Sequence, residues 1–409
     1  MVAILAALAV VLLLGAGWYY SDQIIKPTPR IPLETGLGVV ALGDGCITLS
    51  GSELARAGRR WFLEWPGGYG VAGDLVSADR IHVTRRFQAL VGAPRVGGAV
   101  DLGAYPFRSD PRHACDLTYQ DIGIHTHLGA MPAWFVPGTR DTWVLMVHGL
   151  TANRGEALRA MPAIAALGYP ILVISYRNDV GAPASKDRLY HLGQGEWEDL
   201  QAAVRYALKQ GARRVVLFGF SMGGSTVADM LDRSEHSHDV AAVILDAPVL
   251  DWNAVVQLAA HQRRVPDVLT TVAEWLVSMR TGFAWNGHEG RVAASEFTMP
   301  VLLFHGTADA TAPIGPSESL AAAAGERVTF VRTKGAGHVQ SWNFDPDGYE
   351  RALRAWLPRV APDSLLRHSP SAIIAAWVSP APSPSTARPC SRSGPPWSPS
   401  ASATTATKR

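Results

Sequence analysis

The sequence predicts an α/β fold: a mostly parallel central sheet with helices on both faces and a small helical cap, preceded by a transmembrane helix and a small β-rich module. Three observations carry this. Between residues 117 and 357, short all-apolar runs alternate with helix-periodic stretches, the pattern of a parallel sheet covered on both sides. Residues 2–20 form a run without a charge. Residues 33–112 break into short apolar stretches separated by Gly/Pro turns such as Pro66-Gly67-Gly68.

As a helix, residues 2–20 would measure about 28 Å, close to the roughly 30 Å hydrocarbon core of a bilayer. A cleaved signal wants a basic start and small residues at the cut. Here no Lys or Arg precedes the run, and Trp18, Tyr19 and Tyr20 close it, as suits a membrane interface. An uncleaved single-pass anchor is therefore the leading expectation, with secretion after signal cleavage as its alternative. Orientation is open. Residues 21–32, with Pro27, Pro29 and Pro32, read as a stiff linker.

The module at 33–112 carries no chemistry of its own. Gly36-Leu37-Gly38-Val39-Val40-Ala41 matches a loose dinucleotide fingerprint, but it follows a Pro-rich linker and no βαβ unit surrounds it. The core is expected at 113–250 and 299–359. Two strand-like runs, 117–124 and 130–136, flank a turn at Gly129. Strands follow at 143–147, 171–175, 215–218, 240–245, 301–304 and 328–331. Helices are expected at 156–167, 196–209, 222–231 and 349–357; in the second, Trp197, Leu200, Val204 and Leu208 share a face. Residues 251–298 interrupt the rhythm with two helix-like stretches, 252–261 and 267–279. An insertion there lies above the carboxyl ends of the strands, as a cap would. From 360 to 409 the composition turns to Ser, Pro, Ala and Thr, a disordered tail; its loss of acidic residues after 363 also fits an out-of-frame end.

Charge narrows the partners. The net charge is +2, and removing the five basic residues of 364–409 leaves residues 1–363 at −3. A mildly acidic body has no general affinity for a phosphate backbone, so no nucleic acid is expected. The three cysteines, Cys46, Cys115 and Cys390, form no CxxC or Cys/His cluster, and neither metal nor cofactor is expected. Cys46 and Cys115 are either a pair, if that region is exported, or two unrelated thiols.

The chemistry centres on Gly219-Phe220-Ser221-Met222-Gly223-Gly224, between an expected strand and an expected helix. A sharp strand-to-helix turn pushes a hydroxyl into a cleft, and its crowding demands the flanking glycines. Serine needs a base. His338, in the glycine-rich loop Gly335-Ala336-Gly337-His338 after the last strand, is the candidate; His148 and His305, each in a His-Gly pair, are assigned to shaping turns. The imidazole needs a carboxylate. Asp309 follows the 301–304 strand and is the candidate, with Asp246 in reserve or as a helix cap. The oxyanion donors are expected to be the amides of Met222 and Leu150, each worth roughly 3–4 kcal/mol of barrier. Arg177 borders the expected cleft, either to hold a substrate anion or, preferably, to pair with a nearby acid.

Together, strand-His148-Gly149-Leu150, the Ser221 elbow, His305-Gly306-Thr307-Ala308-Asp309 and Gly337-His338 resemble the α/β-hydrolase superfamily over residues 117–357. The hairpin ending Pro132-Ala133-Trp134-Phe135-Val136-Pro137-Gly138 resembles membrane-anchored hydrolases related to depalmitoylating thioesterases and prolyl-oligopeptidase-like enzymes. The resemblance implies a catalytic triad of Ser221, Asp309 and His338 with a Leu150/Met222 oxyanion hole. It implies a serine hydrolase acting on an ester or thioester through an acyl-enzyme. The apolar cap and anchor favour a hydrophobic, lipid-like acyl group. Peptidase, amidase or acyltransferase activity would use the same residues. A non-catalytic hydrolase-fold binding protein is the alternative of another class; such proteins lose a triad member or an elbow glycine, and neither loss is seen.

Overall fold

The computed structural model describes residues 1–28, 36–285, 292 and 294–362. It begins with helix α1 (Val2–Ile25), which takes five residues from the expected linker. Nothing at 21–25 breaks the helix. Lys26 ends it, extended at φ −85° and ψ 125°, because the ring of Pro27 disfavours helical backbone one residue earlier. The rest of that linker from Pro29 onward, and the tail from Asp363 including Cys390, lie outside the described residues.

The β-rich module is a closed antiparallel barrel. Its strands are β1 (Leu37–Gly43), β2 (Cys46–Ser50), β3 (Trp61–Trp65), β4 (Gly68–Ala78), β5 (His82–Val91) and β6 (Ala99–Gly103), with the short helix α2 (Glu53–Arg56) after β2. The closed order is β1-β2-β5-β4-β3-β6. The interior is filled by Val39, Ile47, Leu49, Trp61, Leu63, Val83 and Val100, among others. The dinucleotide-like glycines open β1, which pairs on both edges. Helix α3 (Pro111–Cys115) then leads to the larger domain. Cys46 and Cys115 are not joined in a disulfide, and Cys115 Sγ donates to the carbonyl of Leu158.

Eight strands form the second sheet: β7 (Gln120–Thr126), β8 (Gly129–Val136), β9 (Thr142–Val147), β10 (Ile171–Ile174), β11 (Arg214–Phe220), β12 (Val240–Asp246), β13 (Val301–Gly306) and β14 (Val328–Thr333). Their order is β14-β13-β12-β11-β9-β10-β8-β7. Only β8 runs against its neighbours; the other pairs are parallel. Consecutive residues of a strand point to opposite faces. Leu145, Val147, Leu217, Leu245 and Leu303 face one core, and Val144, Met146, Phe218, Ile244 and Phe304 the other.

Helices α5 (Trp197–Lys209), α6 (Met222–Arg233) and α9 (Ile314–Ala324) cover the first face; α4 (Met161–Ala165) and α11 (Pro346–Val360) cover the second. The expected helix at 156–167 is instead a 3-10 turn, Arg154–Arg159, followed by α4. Pro162 explains the restart: lacking an N–H, it fits only a helix's first turn. The cap region contains a helical hairpin, α7 (Trp252–Gln262) and α8 (Asp267–Thr281), capped at its start by Asp251 accepting from the Ala254 amide. A short helix α10 (Ser341–Phe344) follows the β14 loop. The barrel packs on it: Phe62 stacks on Trp342, and Trp61 meets Phe344 edge-on.

Candidate active site

Strands β9 and β11 are neighbours although β10 lies between them in sequence, and the chain turns to opposite faces of the sheet on leaving β9 and on leaving β11. Ligands of open α/β sheets bind in the crevice at such a switch point. Ser221 stands there, between β11 and α6, with φ +50° and ψ −118°. That conformation costs a non-glycine residue about 1–3 kcal/mol and must be enforced by its surroundings. The Ser221 amide donates to the Asp246 carbonyl (3.1 Å), and the Ser221 carbonyl accepts from Gly224 and Val249. A Cβ on Gly219 would lie 2.4 Å from the Gly223 carbonyl oxygen, and one on Gly223 would lie 2.3 Å from that of Val147. The elbow therefore tolerates glycine alone at both places.

The loops after β13 and β14 bring two side chains to the hydroxyl. His338 Nε2 lies 2.8 Å from Ser221 Oγ, and His338 Nδ1 lies 2.8 Å from Asp309 Oδ2. With the proton on Nδ1, the ring donates to Asp309 and accepts from the hydroxyl. Asp309 Oδ1 accepts from the amides of Thr311 and Ala312, and Oδ2 is 3.3 Å from His305 Nε2. Burial pushes the Asp309 carboxyl up, but hydrogen bonds from His305, His338 and Thr311 hold it well below the usual carboxylate range. It stays ionised, the state that stabilises an imidazolium.

The loop after β9 lies against the serine. A Cβ on Gly149 would come 2.8 Å from Ser221 Cβ. Buried groups pin this glycine: its amide donates to Glu156 Oε2 (2.8 Å), and its carbonyl accepts from Tyr176 Oη (2.7 Å) and His148 Nδ1 (2.9 Å). The neighbouring Leu150 amide and the Met222 amide have no hydrogen-bond acceptor among the described residues. Such free N–H groups are what an oxyanion requires.

Local patterns did not reveal the supporting residues. Glu156 holds the Gly149 loop, and Arg159, one turn on, donates through Nη1 to the carbonyl of Val339, next to His338. One short buried segment thus grips both loops. Their signal in the sequence, a Glu and an Arg in a stretch read as helical, is indistinguishable from a solvated face.

Asp246, the reserve acid, neither meets His338 nor caps a helix. It is fully buried, accepts from Tyr349 Oη (2.9 Å), and burial pushes its carboxyl up to about 6 against the opposing pull of Arg159 and Tyr349. Arg177 pairs with Asp199 (2.9 Å) and Glu198 (2.8 Å), fixing the loop after β10. His148 stacks on Tyr176 and pairs with Asp179 at 2.7 Å. His305 meets Ser317 and the Ala312 carbonyl, buttressing the Asp309 loop. Among the described residues no group of three or more His, Cys, Asp or Glu is gathered for a metal ion.

This sheet order is that of the α/β-hydrolase fold, and the serine elbow facing a histidine and an aspartate from the loops after the last two strands is the side-chain arrangement of a serine hydrolase. Residues 159–361 match the prolyl oligopeptidase family. The chain is 24% identical to the uncharacterized protein YfhR of Escherichia coli (strain K12) over 226 residues, 52% of this chain and 70% of that one. It is 24% identical to the uncharacterized protein Rv2307c of Mycobacterium tuberculosis over 249 residues, 59% and 80% respectively. Among solved structures, the Pyrococcus furiosus esterase Pf2001 superposes with a TM-score of 0.50 at 18% identity, covering 62% of this chain and 95% of that one. At that identity the likeness is one of fold.

Proposed function

We propose that the protein hydrolyses an ester or thioester of a hydrophobic acyl group through an acyl-serine, at the face of a membrane it enters by α1. The observation that carries the catalytic part is the relay Ser221–His338–Asp309, with both hydrogen bonds at 2.8 Å. Ser221 Oγ attacks the acyl carbon while His338 Nε2 takes its proton. The oxyanion accepts from the Leu150 and Met222 amides. Collapse expels the alcohol or thiol, protonated by His338. Water then gives a proton to His338, attacks the acyl-serine, and releases the acid with the serine restored. No step calls for a metal or organic cofactor.

The anchor reading is supported by how α1 is used. Its residues before 13 are bare and apolar, while Gly17, Ser21 and Ile25 are buried, and Tyr190 donates its amide to the Ile25 carbonyl. Cleavage near residue 20 would remove part of a packed surface, so the helix is read as retained. Amide cleavage is the second reading, favoured by the match to the prolyl oligopeptidase family.

Labelling with a fluorophosphonate tests the nucleophile: wild type labels and Ser221→Ala does not. Turnover of an acyl ester should fall on the order of a million-fold in Ser221→Ala. Survival of labelling, or a loss below about tenfold, removes the assignment. Comparing acyl esters, acyl thioesters and peptide amides of matched acyl group separates the two readings.

A further inference from the structure

We propose that the outer face of α8 lies on the bilayer that α1 enters, making the cap the side from which a lipid-borne acyl chain reaches Ser221. This rests on the reading of α1 as a membrane anchor.

Helix α8 buries Thr270, Ala273, Leu276 and Val277 against the protein. Its opposite face carries Val268, Trp275 and Met279, which are 56%, 52% and 68% exposed. Their spacing, i, i+7 and i+11, places them within about 40° of one another around the helix. A surface helix facing water would carry polar residues there. The outer side of α8 thus carries an apolar stripe, flanked by exposed Asp267 and Thr271, that an apolar neighbour would cover.

The identity of that neighbour follows from α1. A Cβ on Gly17 would lie 2.4 Å from Val272 Cγ1, so the two backbones are close. Four to five residues further along α1 and eight further along α8, Arg280 pairs with Asp22 at 2.7 Å and bonds Ser21 Oγ, while its guanidinium also covers the Trp18 ring at 4.1 Å. The contacts advance together in both helices, so α1 and α8 run in the same direction. The bare residues of α1, among them Leu8, Val11 and Leu12, therefore extend on the Val268 side of the cap. A bilayer that covers them meets the α8 stripe first at its Val268 end, and Trp275 and Met279 follow along the helix, roughly 10 and 16 Å further on. Trp18 and Tyr19, half-exposed beside it, are the residue types that settle at a membrane interface. The turn before α8 exposes Arg263 and Arg264, with Asp267 the acid nearest them in sequence; the two arginines suit anionic headgroups. That turn also touches the site: Gln262 Nε2 donates to the carbonyl of Ala310, next to Asp309 (2.8 Å).

The full chain in phosphatidylcholine/phosphatidylglycerol vesicles tests this. First, flotation: a chain that stays behind when the vesicles float overturns the anchor and the proposal with it. Second, in the floating protein, tryptophan emission of wild type minus that of Trp275→Phe isolates Trp275. Brominated phosphatidylcholine is expected to quench that difference. A floating protein whose Trp275 emission ignores the bromine overturns the proposal while leaving the anchor intact, as does a Trp275 shielded by a second copy of the chain. Third, Val268→Glu with Met279→Glu is expected to lower hydrolysis of a long-chain acyl ester held in vesicles by about tenfold and leave a soluble acetyl ester unchanged. Unchanged activity on the vesicles counts against the proposal. The quenching measurement needs only an exposed aromatic exchange and stands whatever the folding of the double variant.

Discussion

Asn343 and Arg60 hold each other reciprocally: Asn343 Nδ2 donates to the Arg60 carbonyl at 2.9 Å, and the Arg60 amide donates to the Asn343 carbonyl at 3.0 Å. The same Nδ2 reaches the Ala104 carbonyl at 2.9 Å, and the Arg59 amide joins the Asn343 carbonyl at 2.8 Å. This knot ties the barrel to the segment five residues after His338. The barrel is thereby part of the support of the His338 loop, the base of the proposed reaction. Asn343→Ala should destabilise the protein by about 1–3 kcal/mol, because the half-buried Arg60 and Ala104 carbonyls lose a shared donor. It should also lower kcat on a soluble ester more than it changes KM. Thermal melting and steady-state kinetics check both, and unchanged kcat would separate the barrel from catalysis.

The Gly149 loop is the second point of leverage. Gly149→Ala puts a methyl 2.8 Å from Ser221 Cβ, and neither backbone can retreat. Turnover should fall about a hundredfold or more, since small misplacements of reacting groups cost that much. Tyr176→Phe removes the hydroxyl that donates to the Gly149 carbonyl. It should cost about 1–3 kcal/mol of stability and a smaller loss of kcat than Gly149→Ala, measured on the same ester.

Asp309 links the site to acid stability. Its folded carboxyl sits below the usual range, so its stabilisation is complete above the unfolded value of about 4 and is lost as pH falls towards the folded value. Asp309→Asn should erase that component: the stability gap between wild type and variant should be widest near neutral pH and shrink below pH about 4. Turnover of Asp309→Asn should drop about ten-thousandfold, because the imidazole loses its orienting acceptor. Denaturant titrations across pH and ester kinetics measure the two effects separately.

Asp246 behaves oppositely. Burial raises its carboxyl to about 6, so wild-type stability falls as pH climbs from about 4 to about 6 and the buried group ionises. Asp246→Asn cannot ionise. Its stability relative to wild type should therefore improve across that window by on the order of 1–3 kcal/mol. Parallel pH profiles for the two proteins would show that Asp246 does not titrate there.

The sequence by itself determined the sheet, the elbow and the meeting of Ser221, His338 and Asp309. Strands apolar on both faces require helices on both sides, and a Gly-x-Ser-x-Gly turn between strand and helix requires those glycines, so residue type and spacing suffice. The order Ser221, Asp309, His338 placed the acid and base after later strands without coordinates. Pro162, inside the helix expected at 156–167, marks a restart that local periodicity conceals. The tertiary structure alone decided the rest. That Arg159 reaches the loop beside His338, that Asp246 turns to Tyr349, that the barrel grips Asn343, and that α1 runs beside α8 are contacts between residues remote in sequence. Periodicity reports which way a side chain faces along its own element. It holds no information about which other element arrives to meet it.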